Sequence, residues 1–421
     1  MLKKVKHLFS DKLVKNIGWL TASQIFRRII RIALVVVLSR SLTTEEYGLM
    51  AILFAITDFA NVFIQKGGIA PKLIQSSKED LSGLLNTAYW TNWILCLSIF
   101  IFQCLMAYPI SLFYQDEKLI FPIMVAAATY LVNPFYAVQN ALIRRENRLK
   151  ISAIATALNA LINQSLVIVF ALMGMGIWCI VLPLVIAQVS WLIVYRKNHD
   201  WVPSGKFTLK NWESIFHFSK FPLGIEMLNY LRSNIDYILI GRFFSVEELG
   251  LYFFGFNAGL GLSLTAINMV SNSVFPYLCE AREKLSELRK SYTRSLKICA
   301  GIIFPLVLLQ STIAPVYVPI VFGEKWDVAI PILIIICLSG LPRPFALVSE
   351  QLLLAVDRGM DGLKWNIFFT TLLVTGIVIA SQFNIVVVAV VVLVLHAILL
   401  PIFTLAVSKS VFSEKNELSI S

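Results

Sequence analysis

The sequence predicts an all-α integral membrane protein, with about twelve transmembrane helices in two parallel six-helix repeats around a central cavity. Three observations predict it: an apolar composition, a lopsided distribution of loop charge, and a long internal repeat. Of 421 residues, 58% are apolar and 14% charged, and the mean hydropathy is +0.77. A soluble domain carries about 25% charged residues, and most of its surface must meet water. A soluble multidomain protein, a disordered chain and a disulfide scaffold are all excluded on these grounds. The six cysteines form no CxxC pair and read as small hydrophobes rather than a metal or redox site. The formal charge of +11 matches basic loops flanking a bilayer, so no nucleic-acid partner is expected.

A bilayer core needs about 20 apolar residues per helix. Stretches meeting that need lie near 17–39, 47–66, 84–108, 119–141, 151–173 and 176–195, then near 214–240, 249–275, 297–318, 328–353, 364–381 and 385–408. The expected organisation is a basic amphipathic N-terminus (1–16), a first bundle (17–200), a second bundle (201–408) and a tail (409–421). No apolar run with a small-residue cleavage site follows the N-terminus, so a removed signal peptide is not expected. With the N-terminus inside, the external loops carry four basic residues, Arg40, Lys118, Arg242 and Lys325, and the tails and remaining loops carry twenty-six. That asymmetry puts both termini in the cytoplasm and favours an even helix count.

The segment Leu38–Leu49 returns as Ile240–Leu251: Arg40, Glu45, Glu46, Gly48 and Leu49 recur as Arg242, Glu247, Glu248, Gly250 and Leu251, all shifted by 202. Lys78–Ser82 resembles Arg282–Ser286 at a shift of 204, Phe113 and Pro122 return as Phe322 and Pro331 at 209, and Pro134-Phe135 as Pro344-Phe345 at 210. Ordered matches with a slowly drifting offset are what short loop insertions in a duplicated unit produce. Six helices per half bring both halves in from the same side, which makes the repeat parallel, as in transporters with two facing bundles.

The element R-x-L-x-x-E-E-x-G-L after the first span resembles polysaccharide exporters, as does Asn234-Ile-Asp236 followed by Ile240-Gly-Arg242 and Leu249-Gly-Leu-Tyr252. So do Ala141-Leu-Ile-Arg-Arg-Glu-Asn-Arg-Leu-Lys150, Gly174-Met-Gly-Ile-Trp178 and Phe322-Gly-Glu-Lys-Trp326. In order and spacing they are similar to the Wzx-like and colanic-acid-exporter-like flippases of the multidrug/oligosaccharidyl-lipid/polysaccharide exporter superfamily. The resemblance covers roughly residues 10 to 410. It implies a protein of the bacterial cytoplasmic (inner) membrane that moves undecaprenyl-diphosphate-linked oligosaccharide outward. It also implies a lipid-linked oligosaccharide and membrane lipid as partners, with a polysaccharide polymerase and chain-length regulators as further candidates.

Charges within the spans are the candidate site. Arg27, Arg28 and Arg31 fall near the middle of the first span, because the apolar run Ile29–Leu38 alone is too short to cross. Each central arginine costs about 2.5–3.5 kcal/mol on insertion scales. They read either as structural, paired with Asp58, Glu226, Asp236 or backbone carbonyls, or as a cationic cavity whose guanidinium forks hold the substrate diphosphate. The seventh span, the repeat of the first, adds Arg232 and places Glu226, Asn229, Ser233 and Asp236 on one stripe. Asp236 is read either as an i,i+4 partner of Arg232 or, with Glu226, as a proton or sodium coupling site. Asp58, sharing a stripe with Asn61 and Gln65, is the first candidate counter-ion for the arginines. Arg343 marks a helix break between Pro342 and Pro344, Glu350 is cavity-lining or interfacial, and His396 is expected to hydrogen-bond a neighbouring helix.

There is no Walker, HExxH or GxSxG sequence, so neither ATP hydrolysis nor enzyme chemistry is expected, and no cofactor beyond a coupling H+ or Na+. A cation antiporter of the same superfamily would want an acidic cavity, whereas these midspan charges lean basic. A polymerase or ligase would want a sizeable external loop, and each one expected here has about ten residues or fewer. The loop charges make a direct prediction. External labelling of single cysteines in intact cells should reach positions 115 and 325 but neither 147 nor 286, and labelling at 147 overturns the topology.

Overall fold

The computed structural model describes residues 30, 33–66 and 69–413, and among them the regular structure is helical. Arg27, Arg28 and Arg31 lie outside the described residues, as do most of the N-terminal segment and residues 414–421. The first-half helices are α1 (Thr44–Lys66), α2 (Ile69–Gln75), α3 (Lys78–Tyr114), α4 (Ile120–Val132), α5 (Ala137–Arg145), α6 (Leu149–Leu172) and α7 (Trp178–Lys197). Then come α8 (Trp212–Phe243), α9 (Val246–Gly255), α10 (Gly261–Ala281), α11 (Leu285–Tyr317), α12 (Ile330–Leu338), α13 (Arg343–Ala355), α14 (Gly359–Ala380) and α15 (Ile385–Val411). Eleven of the twelve apolar stretches fall on these helices, and nine spans among the described residues are long and apolar enough to cross a bilayer. α8 is not among the nine, because Glu226, Arg232 and Asp236 occupy its middle.

The chain divides into two compact units, Met1–Asn234 and Ile235–Ser421, and the division falls inside α8. In the first unit α3 packs on α4, α6 on α7 and α2 on α5. The linker after α7 is tied to this unit. Asn86 Nδ2 and Trp90 Nε1 donate to the Lys206 carbonyl at 2.6 and 2.9 Å, and Thr87 Oγ1 to that of Lys210 at 2.8 Å. Ile215 of α8 is buried with Ile69, Leu73, Leu84 and Val138. The linker and the start of α8 therefore belong to the first unit, downstream of the 200/201 boundary suggested by the repeat.

Loops predicted on the same side meet. Lys118 Nζ pairs with Glu45 at 2.5 Å, joining two loops of the external set. Arg145 donates to the Leu73 carbonyl at 2.6 Å, and His199 lies 3.4 Å from Glu146, joining loops of the other set. Within the second unit, Arg358 donates to the Ser410 carbonyl at 3.3 Å in the same manner.

Structural details recur at the offsets of the sequence repeat. The duplicated E-E element is a helix start. Thr43 N donates to Glu46 Oε2 at 2.8 Å and Glu46 N to Thr43 Oγ1 at 3.1 Å; Ser245 and Glu248 exchange the same two bonds at 3.2 Å. This reciprocal cap satisfies amide donors that the first turn leaves open. Asn147 and Asp357, 210 apart, both take left-handed backbone (φ 55 and 58) after their helices end. Both Pro-Phe pairs mark interruptions, a 3-10 turn at Asn133–Phe135 and the break between α12 and α13.

In the second unit α10 packs on α11 and α13, and α15 on α13 and α14. Trp326, fully buried, stacks on Phe254 at 4.0 Å. Between α9 and α10 the chain makes a π-turn over Phe256–Leu260. Gly255 and Gly259, four residues apart, let this turn approach α12: a Cβ on Gly255 would stand 3.2 Å from Leu333 N, and one on Gly259 3.1 Å from Leu333 Cγ. Small residues at this spacing allow close helix contact where hydrocarbon gives no hydrophobic drive. Gly259→Leu should therefore cost about 1–3 kcal/mol through overpacking. A Gly301→Ala control, with open space at its Cβ, should cost nothing. Thermal unfolding in detergent measures both, and equal effects would refute the packing role of Gly259.

Candidate functional site

In the first unit amides and phenols form hydrogen bonds between helices. Tyr130 OH donates to Gln103 Oε1 at 2.9 Å, and Gln103 Nε2 donates to the Ile123 carbonyl at 2.9 Å. Asn92 Nδ2 donates to Asn133 Oδ1 at 3.0 Å, and Tyr136 OH to Gln188 Oε1 at 3.2 Å. Each bond replaces a water that hydrocarbon does not supply. Asp58 on α1 is exposed and lies within electrostatic reach of Tyr130 and Tyr230. Tyr230 of α8 donates to the Ala55 carbonyl one turn before Asp58.

On α8, Glu226 and Arg232 are half-buried, and Asn229 and Ser233 are exposed. Ser233 Oγ donates to the Asn229 carbonyl at 2.8 Å, which leaves the expected polar stripe accessible rather than packed. Asp236 closes that stripe. Its Oδ2 accepts from Tyr252 OH at 3.2 Å and its Oδ1 from the Tyr237 amide at 3.0 Å. Arg343, at the start of α13, acts on it electrostatically as well. Arg343 also acts on the buried His396 of α15. The histidine bonds to the Val392 carbonyl of its own helix at 2.7 Å, not to a neighbouring helix, and its ring meets Phe369 edge-on at 5.1 Å. Rings close the cluster: Tyr237 stands 6.0 Å from Tyr252 and 5.3 Å from Phe253.

Three residues singled out separately in the sequence, Asp236, Arg343 and His396, thus converge with Tyr252 in the second unit. Glu350, half-buried on α13, lies two turns beyond Arg343. Tyr252 has no periodic relation to Asp236, and its signal is a failure of the repeat: the 202 offset sets Leu34 and Met50 opposite Asp236 and Tyr252. Among the described residues no three His, Cys, Asp or Glu side chains gather to hold a metal ion. A surface cavity of about 560 Å³ in the first unit is lined by Lys72, Asp80 and Glu213, and by none of the residues that converge around Asp236.

A carboxylate held by a phenol and faced by a guanidinium can change charge without losing its place. Removing one partner of such a pair leaves the other charge uncompensated. Asp236→Asn and Arg343→Gln should each destabilise the protein, and the double variant should lose less than the sum, with a coupling of about 0.5–3 kcal/mol. A double-mutant cycle on thermal unfolding measures it, and strict additivity would dissolve the pair.

Comparison with known proteins adds the following. Residues 37–331 match the sequence profile of a family described as "Polysaccharide biosynthesis protein". The teichuronic acid biosynthesis protein TuaB of Bacillus subtilis is 27% identical over 363 residues, covering 85% of this chain and 74% of TuaB. The lipopolysaccharide biosynthesis protein WzxC of Escherichia coli is 24% identical over 379 residues, 88% of this chain and 76% of its own. Among solved structures, an inward-facing multidrug-resistance MATE family transporter of the MOP superfamily superposes with a TM-score of 0.74 at 15% identity, over 93% of this chain and 96% of its own. The lipid II flippase MurJ in an inward closed conformation gives 0.69 at 13% identity, over 96% and 89%. These two similarities establish the fold.

Proposed function

The chain belongs to the polysaccharide biosynthesis protein family, and from that membership we propose that it flips undecaprenyl-diphosphate-linked oligosaccharide repeat units across the bacterial cytoplasmic membrane for surface polysaccharide assembly. The match over residues 37–331, on a multi-pass fold shared with MATE transporters and MurJ, carries this reading. Both termini are cytoplasmic in this proposal, which follows the loop charge. The chain acts as a transporter rather than an enzyme, with any polymerase or chain-length regulator as a separate protein.

Two halves alternate access to a cavity lined by Arg27, Arg28, Arg31 and Arg232, whose guanidiniums bind the diphosphate while the polyprenyl tail stays in lipid. Arginine suits the task because its fork meets phosphate oxygens bidentately and keeps its charge at any physiological pH. The basic lean of the midspan charges favours this anionic substrate over the cations of a multidrug antiporter.

Coupling is assigned to Asp236, with Asp58, Glu226 and Glu350 as the other carboxylates of the set. A proton or sodium ion on Asp236 cancels its charge, weakens the field that holds Arg343 and changes the relative stability of the two access states. One assay tests both roles, with purified protein in liposomes loaded with a defined lipid-linked sugar. Arg27→Ala, Arg28→Ala and Arg31→Ala should abolish flipping in folded protein, and lysine at the same positions should restore it in part. Normal rates in the triple Ala variant would refute the cationic cavity. Asp236→Asn should flip without responding to imposed pH or sodium gradients; a wild-type response removes it from the coupling role.

A further inference from the structure

α11 shows one face to its own unit and the opposite face outward along its whole length. Leu288, Tyr292, Cys299, Ile303, Val307 and Ala314 are buried at three- and four-residue spacing. On the outward face, Ile298, Ile302, Leu309 and Val316 are exposed, as suits contact with acyl chains. Before Ile298 that face changes character. Lys290, Arg294 and Lys297 on it are exposed, as is Arg289 on the far side of the helix, and the segment 289–297 contains no carboxylate. Among the described residues none of these four cations is in an ion pair. At 1.5 Å per residue, Arg294 sits about 6 Å and Lys290 about 12 Å beyond Ile298. A headgroup layer is about 5–8 Å deep, so Arg294 and Lys297 fall within it and the long side chain of Lys290 reaches back to it.

The first half shows what the same helix surface does when chain covers it. The offset of 204 that carries Lys78–Ser82 onto Arg282–Ser286 carries Asn86, Thr87 and Trp90 onto Lys290, Ser291 and Arg294. In the first half these three donate to the linker carbonyls of Lys206 and Lys210. In the second half two of the three neutral donors become an ammonium and a guanidinium. Ser291 is buried, with its hydroxyl and Arg294 in hydrogen-bond reach of the Tyr277 phenol. Donors of that charge suit an anionic acceptor better than a peptide carbonyl.

We propose that this face of α11 binds the headgroup of an anionic phospholipid of the bilayer, with its phosphate on Lys290, Arg294 and Lys297 and its acyl chains along Ile298 and Ile302. Continuity of the cationic and apolar stripes selects a lipid over a soluble phosphate, which would use only half of the surface. The test counts lipids retained by the purified full-length chain, by native mass spectrometry, from nanodiscs of mixed phosphatidylglycerol and phosphatidylcholine. Wild type should retain phosphatidylglycerol preferentially. Lys290→Gln, Arg294→Gln and Lys297→Gln should each lower that preference about fivefold, the equivalent of about 1 kcal/mol per basic residue near an anionic surface. Arg282→Gln with Lys284→Gln, in the turn before α11, whose first residue is about 20 Å along the axis from Ile298, should change it less than twofold. Unchanged preference in the triple variant, or equal loss in the distant pair, overturns the proposal. Displacement by millimolar glycerol 3-phosphate would make it a soluble-phosphate site and overturn it equally. A chain ending at Ser413 should behave as wild type; a preference found only in that variant would assign the face to residues 414–421 instead. Unfolding temperatures within a few degrees of wild type confirm that each variant is folded.

Discussion

Hydrocarbon offers no hydrogen bonds, and this fold is organised by where its helices depart from regularity and by what closes each departure. Two glutamines make the point. Gln103 on α3 donates to the Ile123 carbonyl of α4, and Gln310 on α11 donates to the Ala258 and Gly259 carbonyls in the π-turn, at 2.9 and 2.7 Å. Gln310 Oε1 also accepts from Ser263 at 2.9 Å. The π-turn shifts the backbone bonding pattern by one residue, and an amide side chain is among the few groups able to supply the missing donor within a bilayer. Local irregularity and long-range packing are therefore linked: neither helix of such a pair can slide without opening a bond that lipid will not replace.

The halves share their irregularities and differ in how they satisfy them. The offset of 210 that aligns Pro134-Phe135 with Pro344-Phe345 also aligns Asn133 with Arg343. At the first-half break Asn133 accepts from Asn92, a neutral amide contact. At the second-half break the same position carries a full charge, answered by Asp236 from α8, itself held by Tyr252. Neutral amides make a break rigid at every pH. A carboxylate and guanidinium make one that responds to charge, which is why the proposed ion coupling is placed in the second unit.

Much of this could be read from the chain, for identifiable reasons. Helix positions were legible because about 20 consecutive apolar residues have few alternative fates. The repeat was legible because the capping pairs Thr43/Glu46 and Ser245/Glu248 need particular side chains at fixed spacing, which leaves a sequence trace. The breaks were legible from proline. The Asp236–Tyr252 contact was not, because it joins helices whose rotation about their axes is set by packing rather than by any local pattern. The i,i+4 spacing of Arg232 and Asp236 is a local pattern, whereas the buried phenol on α9 that reaches the same carboxylate leaves none. His396 likewise turned to its own helix, since the Val392 carbonyl lies one turn away and needs no neighbouring helix to be in register.

The size of the charges limits what the proposed coupling can do. Moving a two-state equilibrium from 1:99 to 99:1 takes about 5.5 kcal/mol of differential stabilisation. An arginine stripped of its counter-charge at membrane depth costs about 2.5–3.5 kcal/mol on insertion scales. Neutralising Asp236 could then tip the balance between access states by roughly half of what full switching requires, and only if Arg343 is better solvated in one state than in the other. In the proposed mechanism the remainder comes from the substrate, whose diphosphate would offset the arginine charge differently in the two states. On this arithmetic neither ion nor substrate suffices alone. That is the condition for coupled transport: an ion that could switch the protein unaided would leak its gradient, and a substrate that could do so would equilibrate across the membrane in both directions.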